Sequence, residues 1–248
     1  MKIFVLNLAR AADRRVVMLG RLQAMGWPAE ILPAIDGARV DRKSLPADTA
    51  PGLSAGEIGC YLSHRRFWET VVERQLDHAI LLEDDVIISP DLLRVAEEIA
   101  ALALPFDAVR LSALETVRGI PVVTLSGGQR LVLPNKNPSG AQGYLVSQAG
   151  ARRLLARLAV PKQPVDDAFD AYWKHGLCIP VVFPTLVEED CSMNSTIGGG
   201  RMGGDERNTL VRHLKRVAEA QCRKIAVFLM ARRLCALARH RDRGNRAQ

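Results

Sequence analysis

The stretch Ala79-Ile80-Leu81-Leu82-Glu83-Asp84-Asp85-Val86 sets three consecutive acids at the end of a continuous apolar run. An apolar run of this length, bounded by polar residues, reads as a buried strand. Three ionised carboxylates cannot remain inside without partners, because each would lose its hydration. They therefore belong where the strand emerges, and in open α/β sheets ligands bind at the carboxyl ends of strands. Clustered oxygens there suit a hard divalent cation shared with substrate phosphates. A solvated acidic turn is the competing reading.

A second set of polar residues lies upstream. Ser54-Ala55-Gly56-Glu57 has the capping-box spacing, with Ser54 as cap and Glu57 three residues on. The helix it opens carries Glu57 and His64 seven residues apart, hence on one face, beside the small Gly56, Gly59 and Ser63. Such a face admits a ligand or another backbone; tight packing, with Glu57 as a cap alone, explains it equally. A third set, Asp166-Asp167, follows Pro164 and fits either an N-cap pair or a general base.

The surrounding pattern predicts the elements that must hold these groups. Lys2 to Leu8 reads as a strand, Asp13 as the cap of a helix with Met18, Leu19, Leu22 and Met25 inward, and Glu30 to Ile35 as a second strand. This βαβ start implies a parallel sheet. The Ser54 helix extends to about Gln75, with Ile58, Leu62, Trp68 and Val72 buried. Ser89-Pro90-Asp91 predicts a helix start with Pro at its first position. Ala108 to Leu111 is a strand, Val122 to Leu125 and Arg130 to Leu133 a hairpin, Gly143 to Val146 a strand, Ser147 a helix cap, and Cys178 to Phe183 the last core strand. Asn194 to Asp205, rich in glycine, predicts a flexible segment.

At 248 residues, 48% hydrophobic and 25% charged, the chain suits one large α/β domain. No apolar stretch approaches the length that crosses a bilayer, and no signal peptide is evident, which predicts a cytoplasmic protein. Five cysteines without C-x-x-C spacing argue against a zinc or disulfide framework. From Val211 to Gln248 there are eleven Lys or Arg and two acids, so the +7 net charge belongs to the tail. The body shows no basic face for nucleic acid. The tail's pattern, Leu214, Val217, Ile225, Phe228, Leu229 and Leu237 amid Lys and Arg, predicts a basic amphipathic helix. It reads either as binding an anionic membrane surface or as packing on the core. The expected division is a domain at 1–205 and a tail at 206–248.

Several stretches together resemble glycosyltransferase family 25, the lipooligosaccharide glycosyltransferases related to the collagen galactosyltransferase domain. They are Lys2 to Leu8 with Asp13-Arg14-Arg15, Ala34-Ile35-Asp36-Gly37, Leu53 to His64 with Trp68, Leu82-Glu83-Asp84-Asp85, Gly143 to Ser147 with Gly150-Ala151, and Pro164-Val165-Asp166. The block Gly56-Glu57-Ile58-Gly59-Cys60-Tyr61-Leu62-Ser63-His64 is the most specific. The resemblance implies a GT-A-like, Rossmann-type fold with a mostly parallel sheet, and inverting transfer from a UDP-sugar, commonly UDP-galactose, to a glycan or lipid-linked glycan. By that analogy Glu83 and Asp85 hold Mn2+ or Mg2+. Leu6, Asn7, Arg10, Arg14, Ala34, Asp36, Glu57, Ser63, His64 and Asp84 lie on the donor side. The base must sit across the sugar from the diphosphate, so Asp166, Asp167 and His64 are its candidates, with Asp190 also open.

The expected function is a metal-dependent glycosyltransferase in the cytoplasm, peripheral at the inner face of a bacterial membrane. A non-catalytic membrane-peripheral scaffold, and a phosphohydrolase or nucleotidyltransferase, are the alternatives.

Overall fold

In a computed structural model, which describes residues 1–192 and 209–245, the chain forms an α/β structure. Its elements in order are β1 (Lys2–Asn7), α1 (Ala12–Ala24), β2 (Ala29–Pro33), α2 (Ala55–Glu73), β3 (His78–Glu83), β4 (Val86–Ile88) and α3 (Leu92–Ala101). There follow β5 (Ala108–Arg110), β6 (Gly119–Thr124), β7 (Arg130–Pro134), β8 (Gly143–Ser147), α4 (Gln148–Arg157), α5 (Val165–Asp170), β9 (Val181–Phe183), β10 (Val187–Glu189) and α6 (Thr209–Asn245). Eight strands form one sheet in the order β2-β1-β3-β8-β5-β9-β7-β6. Six of them point one way, while β8 and β7 run against their neighbours. A mostly parallel sheet flanked by helices is therefore observed.

The β1-α1-β2 unit is parallel, as the period change from strand to helix implied. β1 and β3 are buried along both faces, which explains their unbroken apolar runs. Phe4 meets Phe67 of α2 edge-on at 5.6 Å. Its neighbours Ile3 and Val5 point to the opposite face by the strand's alternation, toward the side that α1 covers. On α2 the buried apolar side chains are Ile58, Tyr61, Phe67, Trp68 and Val71, while Leu62 and Val72 are only half-buried. The helix is enclosed more widely than a single stripe predicts because α4 and α5 pack on it as well.

Several predicted boundaries shift. Asp13 is not a cap: Ala11 holds that position, and Asp13 sits in the first turn, where an acid meets the helix dipole. Pro90 precedes α3 rather than opening it. Neither Asp166 nor Asp167 caps α5, whose N-cap is Pro164. The last core strand begins at Val181, and the short sheet of β4 with β10 joins segments about 100 residues apart, for which no local pattern exists. The flexible segment expected from Asn194 to Asp205 and the boundary at 205/206 lie outside the described residues.

α6 packs on the body through Val227, Ala231 and Leu234, which are buried against the β6 side of the sheet. Val122's carbonyl accepts from the Cys235 thiol, Arg223 donates to Asn137 at 2.5 Å, and Lys174 pairs with Glu219. The packing reading of the tail thus holds for its described part. Its opposite face leaves Ile225, Phe228 and Leu229 more than half exposed.

Beneath the loop that leads into β8, Arg110 is 1% exposed and 2.6 Å from Asp170, which is 3% exposed. The guanidinium also donates to the carbonyls of Ser139 and Gly140, so one buried cation anchors the whole 135–142 loop. Removing one partner of a buried pair strands the other charge. Asp170→Ala is expected to cost about 3–5 kcal/mol in urea unfolding; a loss below about 1 kcal/mol would show that the loop carbonyls alone satisfy Arg110.

Candidate active site

Because β1, β2 and β3 are parallel neighbours, their carboxyl ends share one edge. Leu6 lies opposite Glu83 and Asn7 opposite Pro33. The edge therefore gathers Asn7, the segment from Ala34 to Asp36, and the three acids. Ala34 donates its N–H to the Asn7 carbonyl at 2.9 Å. Arg10 donates to Asp36 at 2.5 Å, joining the loop after β1 to the loop after β2. Leu6 itself is a buried core residue.

The three acids have different surroundings. Asp84 is 6% exposed and turns inward, accepting from Asn7 Nδ2 at 2.6 Å and pairing with Arg14 at 2.5 Å. Asn7, Arg14 and Asp84, expected beside the nucleotide, are in this structure engaged with one another. Glu83 and Asp85 are half-buried. Arg14, on the first turn of α1, pairs with Asp85 as well as Asp84. Burial, followed by the charge of Glu83, raises the Asp85 pKa to about 6, with Arg14 opposing. Burial raises that of Asp84 too, against the pull of Asn7 and Arg14. Asp85 Oδ1 and Asn7 Oδ1 are buried with no hydrogen-bond partner.

α2 forms the opposite wall. Its capping box is present: Glu57 accepts from the Ser54 N–H at 2.7 Å, and Ser54 Oγ from the Glu57 N–H at 3.2 Å. The small-residue face is filled by the chain's own backbone. A Cβ on Gly59 would lie 2.6 Å from both the Gly37 nitrogen and the Ile35 oxygen. Ser63 Oγ accepts from the Ile35 N–H at 2.7 Å and donates to the Gly59 carbonyl at 2.6 Å. Asp36 in turn accepts from the Ala38 N–H. Ser63 is thus placed as a support that fixes the Asp36 loop, while Glu57 serves as the cap of its own helix.

His64 is fully buried, with Nδ1 3.0 Å from Tyr144 Oη and Nε2 3.6 Å from Glu83 Oε1. Ligand atoms of Cys60, His64 and Glu83 all lie within 4.8 Å of one another. Burial pushes the Cys60 thiol well up, and the charges of Glu83, Asp166, Asp85 and Glu57 push it the same way. Asp166 and Asp167 are half-buried neighbours in the first turn of α5. Asp190 is committed elsewhere: it accepts from Ser192 and Arg21, which hold its carboxyl down at about 2. Its N–H also donates to the Asp85 carbonyl at 2.8 Å, and Arg21 donates to the Val86 carbonyl at 2.7 Å. This latch fixes the backbone just after the acids. Arg21 had no signal in the sequence. Trp68 and Tyr144, legible as a buried helix residue and a strand residue of the family blocks, gave no sign that they bond one another and His64, because that pairing joins α2 to a strand 76 residues on.

Since Asp85 binds its proton more tightly folded than unfolded, its stabilising contribution is full below about pH 3.8 and lost as pH rises through about 6. Its charge is a cost to the unliganded fold at neutral pH. Asp85→Asn is expected to stabilise that form by about 1–2 kcal/mol at neutral pH, with the gain shrinking toward about pH 4. Thermal unfolding at both pH values measures this, and a destabilised variant at neutral pH would show that the Arg14 pairing outweighs burial.

Comparison with known proteins bears on this geometry. The family described as Glycosyltransferase family 25 (LPS biosynthesis protein) matches residues 1–169. The "Probable inactive glycosyltransferase 25 family member 3" of Bos taurus is 33% identical over 190 residues, covering 67% of this chain and 30% of that protein. Human "Procollagen galactosyltransferase 2" is 29% identical over 197 residues, covering 70% of this chain and 30% of that protein. The chain thus spans about a third of the length of these relatives. The solved galactosyltransferase LgtC, in complex with donor and acceptor sugar analogs, aligns over 89% of this chain and 95% of its own, at 13% identity and a TM-score of 0.44. With the acid-ended β3, the capping-box helix and the family match over residues 1–169, the chain belongs to glycosyltransferase family 25.

Proposed function

We propose that the protein is a metal-dependent, inverting glycosyltransferase that moves a sugar, galactose by family analogy, from a UDP-sugar to a lipooligosaccharide or another glycan acceptor. The observation that carries this reading is the pair Glu83 and Asp85 on the carboxyl edge of three parallel strands. Asp85 keeps one buried oxygen without a partner and a carboxyl that its surroundings disfavour as an anion. Such oxygens fit a hard divalent cation, Mn2+ or Mg2+. Glu83 and Asp85 would hold it, and its chemistry there is to neutralise charge on the departing diphosphate.

The chain's own groups divide the remaining work. Arg10 and Arg14 border the donor edge with positive charge, while Asn7 and the supported Asp36 loop shape it. The base that takes the proton of the attacking hydroxyl must be a carboxylate open to the cleft. Asp170 is locked to Arg110 and Asp190 to Arg21; Asp166, half-buried in the first turn of α5, occupies the Pro-x-Asp position of the family resemblance. Asp166 is the proposed base. With Mn2+ and a glycan acceptor, the protein should release UDP from a UDP-sugar and yield a glycosylated product. Asp85→Ala should abolish turnover, and Asp166→Asn should lower kcat by about 10²–10⁴-fold. Free sugar or phosphate as the sole product would instead indicate hydrolysis.

A second reading, a non-catalytic scaffold, is favoured by one observation: the relatives that match at 32–33% identity are named inactive. Absence of both UDP release and UDP binding would select it.

In either case the outward face of α6 is the proposed contact with an anionic membrane, at the cytoplasmic side. No helix among the described residues is long and apolar enough to cross a membrane. Ile225, Phe228 and Leu229 stand exposed among Lys224, Arg232 and Arg239, the apolar-and-basic mixture that binds anionic interfaces. Because the inward face of α6 belongs to the core, point substitutions test this better than truncation. Phe228→Ser with Leu229→Ser should lose sedimentation with phosphatidylglycerol vesicles while keeping turnover of a soluble acceptor; undiminished sedimentation would refute the contact.

A further inference from the structure

The buried layer between α2 and β8 contains a chain of polar atoms with a fixed direction. Trp68 Nε1 lies 2.9 Å from Tyr144 Oη, and Oη lies 3.0 Å from His64 Nδ1. An indole N–H can only donate, so Oη accepts from Trp68. The hydroxyl still has its own proton to place. Tyr144 and His64 are fully buried, and among the described residues His64 Nδ1 is the other hydrogen-bond partner of Oη. A hydroxyl proton left without an acceptor in such a place costs about 1–3 kcal/mol. Nδ1 therefore accepts, and the neutral imidazole carries its proton on Nε2. That atom has no hydrogen-bond partner and faces Glu83 Oε1 at 3.6 Å, a few tenths of an ångström beyond a hydrogen bond. The opposite tautomer would strand the Tyr144 proton and set a nitrogen lone pair against a carboxylate. The imidazole is stacked on the Tyr144 ring at 5.6 Å and 16°, so its orientation is held by packing as well.

We infer that His64 is a positioning residue for Glu83: the relay from Trp68 through Tyr144 directs its Nε2–H at the Glu83 carboxylate and sets the orientation in which that carboxylate meets the donor's cation. The inference rests on the proposed role of Glu83. It removes His64 from the candidate bases, because neither ring nitrogen has a lone pair to offer a substrate. It also disfavours the Cys60–His64–Glu83 triplet as a thiophilic metal site, since a metal there would have to displace the Nε2 proton and the bond it directs at Glu83. Partners of this kind, behind a metal ligand, typically change cation affinity by about 10–100-fold when removed.

Histidine-selective 15N labelling of the full chain tests the tautomer directly. The expected spectrum has a protonated Nε2 and an unprotonated Nδ1 for His64, with the Nε2–H resonance shifting in Glu83→Gln. A protonated Nδ1 beside a bare Nε2, or no response to Glu83→Gln, would overturn the proposal. In calorimetry, His64→Ala should weaken Mn2+-supported UDP binding by about 10–100-fold. His64→Gln, whose amide N–H can stand in for Nε2–H, should recover most of it; equal losses with an intact fold would overturn it. Addition of Co2+ gives the opposing result if a thiolate-to-cobalt band forms and disappears in Cys60→Ser. Should the parent protein bind no UDP with Mn2+, the glycosyltransferase reading fails, while the tautomer and its response to Glu83→Gln still decide whether the relay holds Glu83.

Discussion

The cost of holding carboxylates out of water at a strand end governs the arrangement of this protein. Asp84 and Asp85 are both shielded, and each has its pKa raised by burial. The fold answers with one arginine. Arg14, brought from the first turn of α1, pairs with both acids, and Asn7 donates to Asp84. Neutralisation is incomplete, since Asp85 keeps an unpaired buried oxygen. An anionic site left under-compensated is destabilising in the empty protein and attractive to a cation, so the same deficit serves stability poorly and binding well.

α2 is the wall against which this site is held. Its glycine at position 59 brings the helix to backbone contact with the turn at Gly37, and Ser63 bonds across the same seam. The approach fixes the Asp36 loop by backbone contact at Gly59 and by the Ser63 hydroxyl. One turn further on, the helix turns aromatic and polar together, with Phe67, Trp68 and His64 meeting Tyr144 of β8. β8 is antiparallel to β3, so Tyr144 comes opposite Leu81 rather than at the site edge, and its hydroxyl reaches the site only through His64.

α6 shows why a basic amphipathic pattern supports two readings at once. Val227, Ala231 and Leu234 recur at helical spacing and close the β6 side of the sheet. Ile225, Phe228 and Leu229 recur on the other side, beside arginines. A helix with one apolar stripe must choose between core and interface; this one has a stripe for each.

The sequence by itself determined the α/β class, the parallel start, the capping box of α2 and the emergence of the acids at a strand end. All of these rest on local periodicity, capping chemistry and the price of burying charge, which neighbouring residues decide. Tertiary structure alone decided what each polar group faces. Asp84 turned inward to Asn7, Ser63 became a support of the Asp36 loop, Asp190 became a latch on Arg21, and His64 was joined to Tyr144, 80 residues away. Side-chain partners across a sheet depend on strand order and register. Those are set by the packing of the whole core and leave no mark in the spacing of nearby residues.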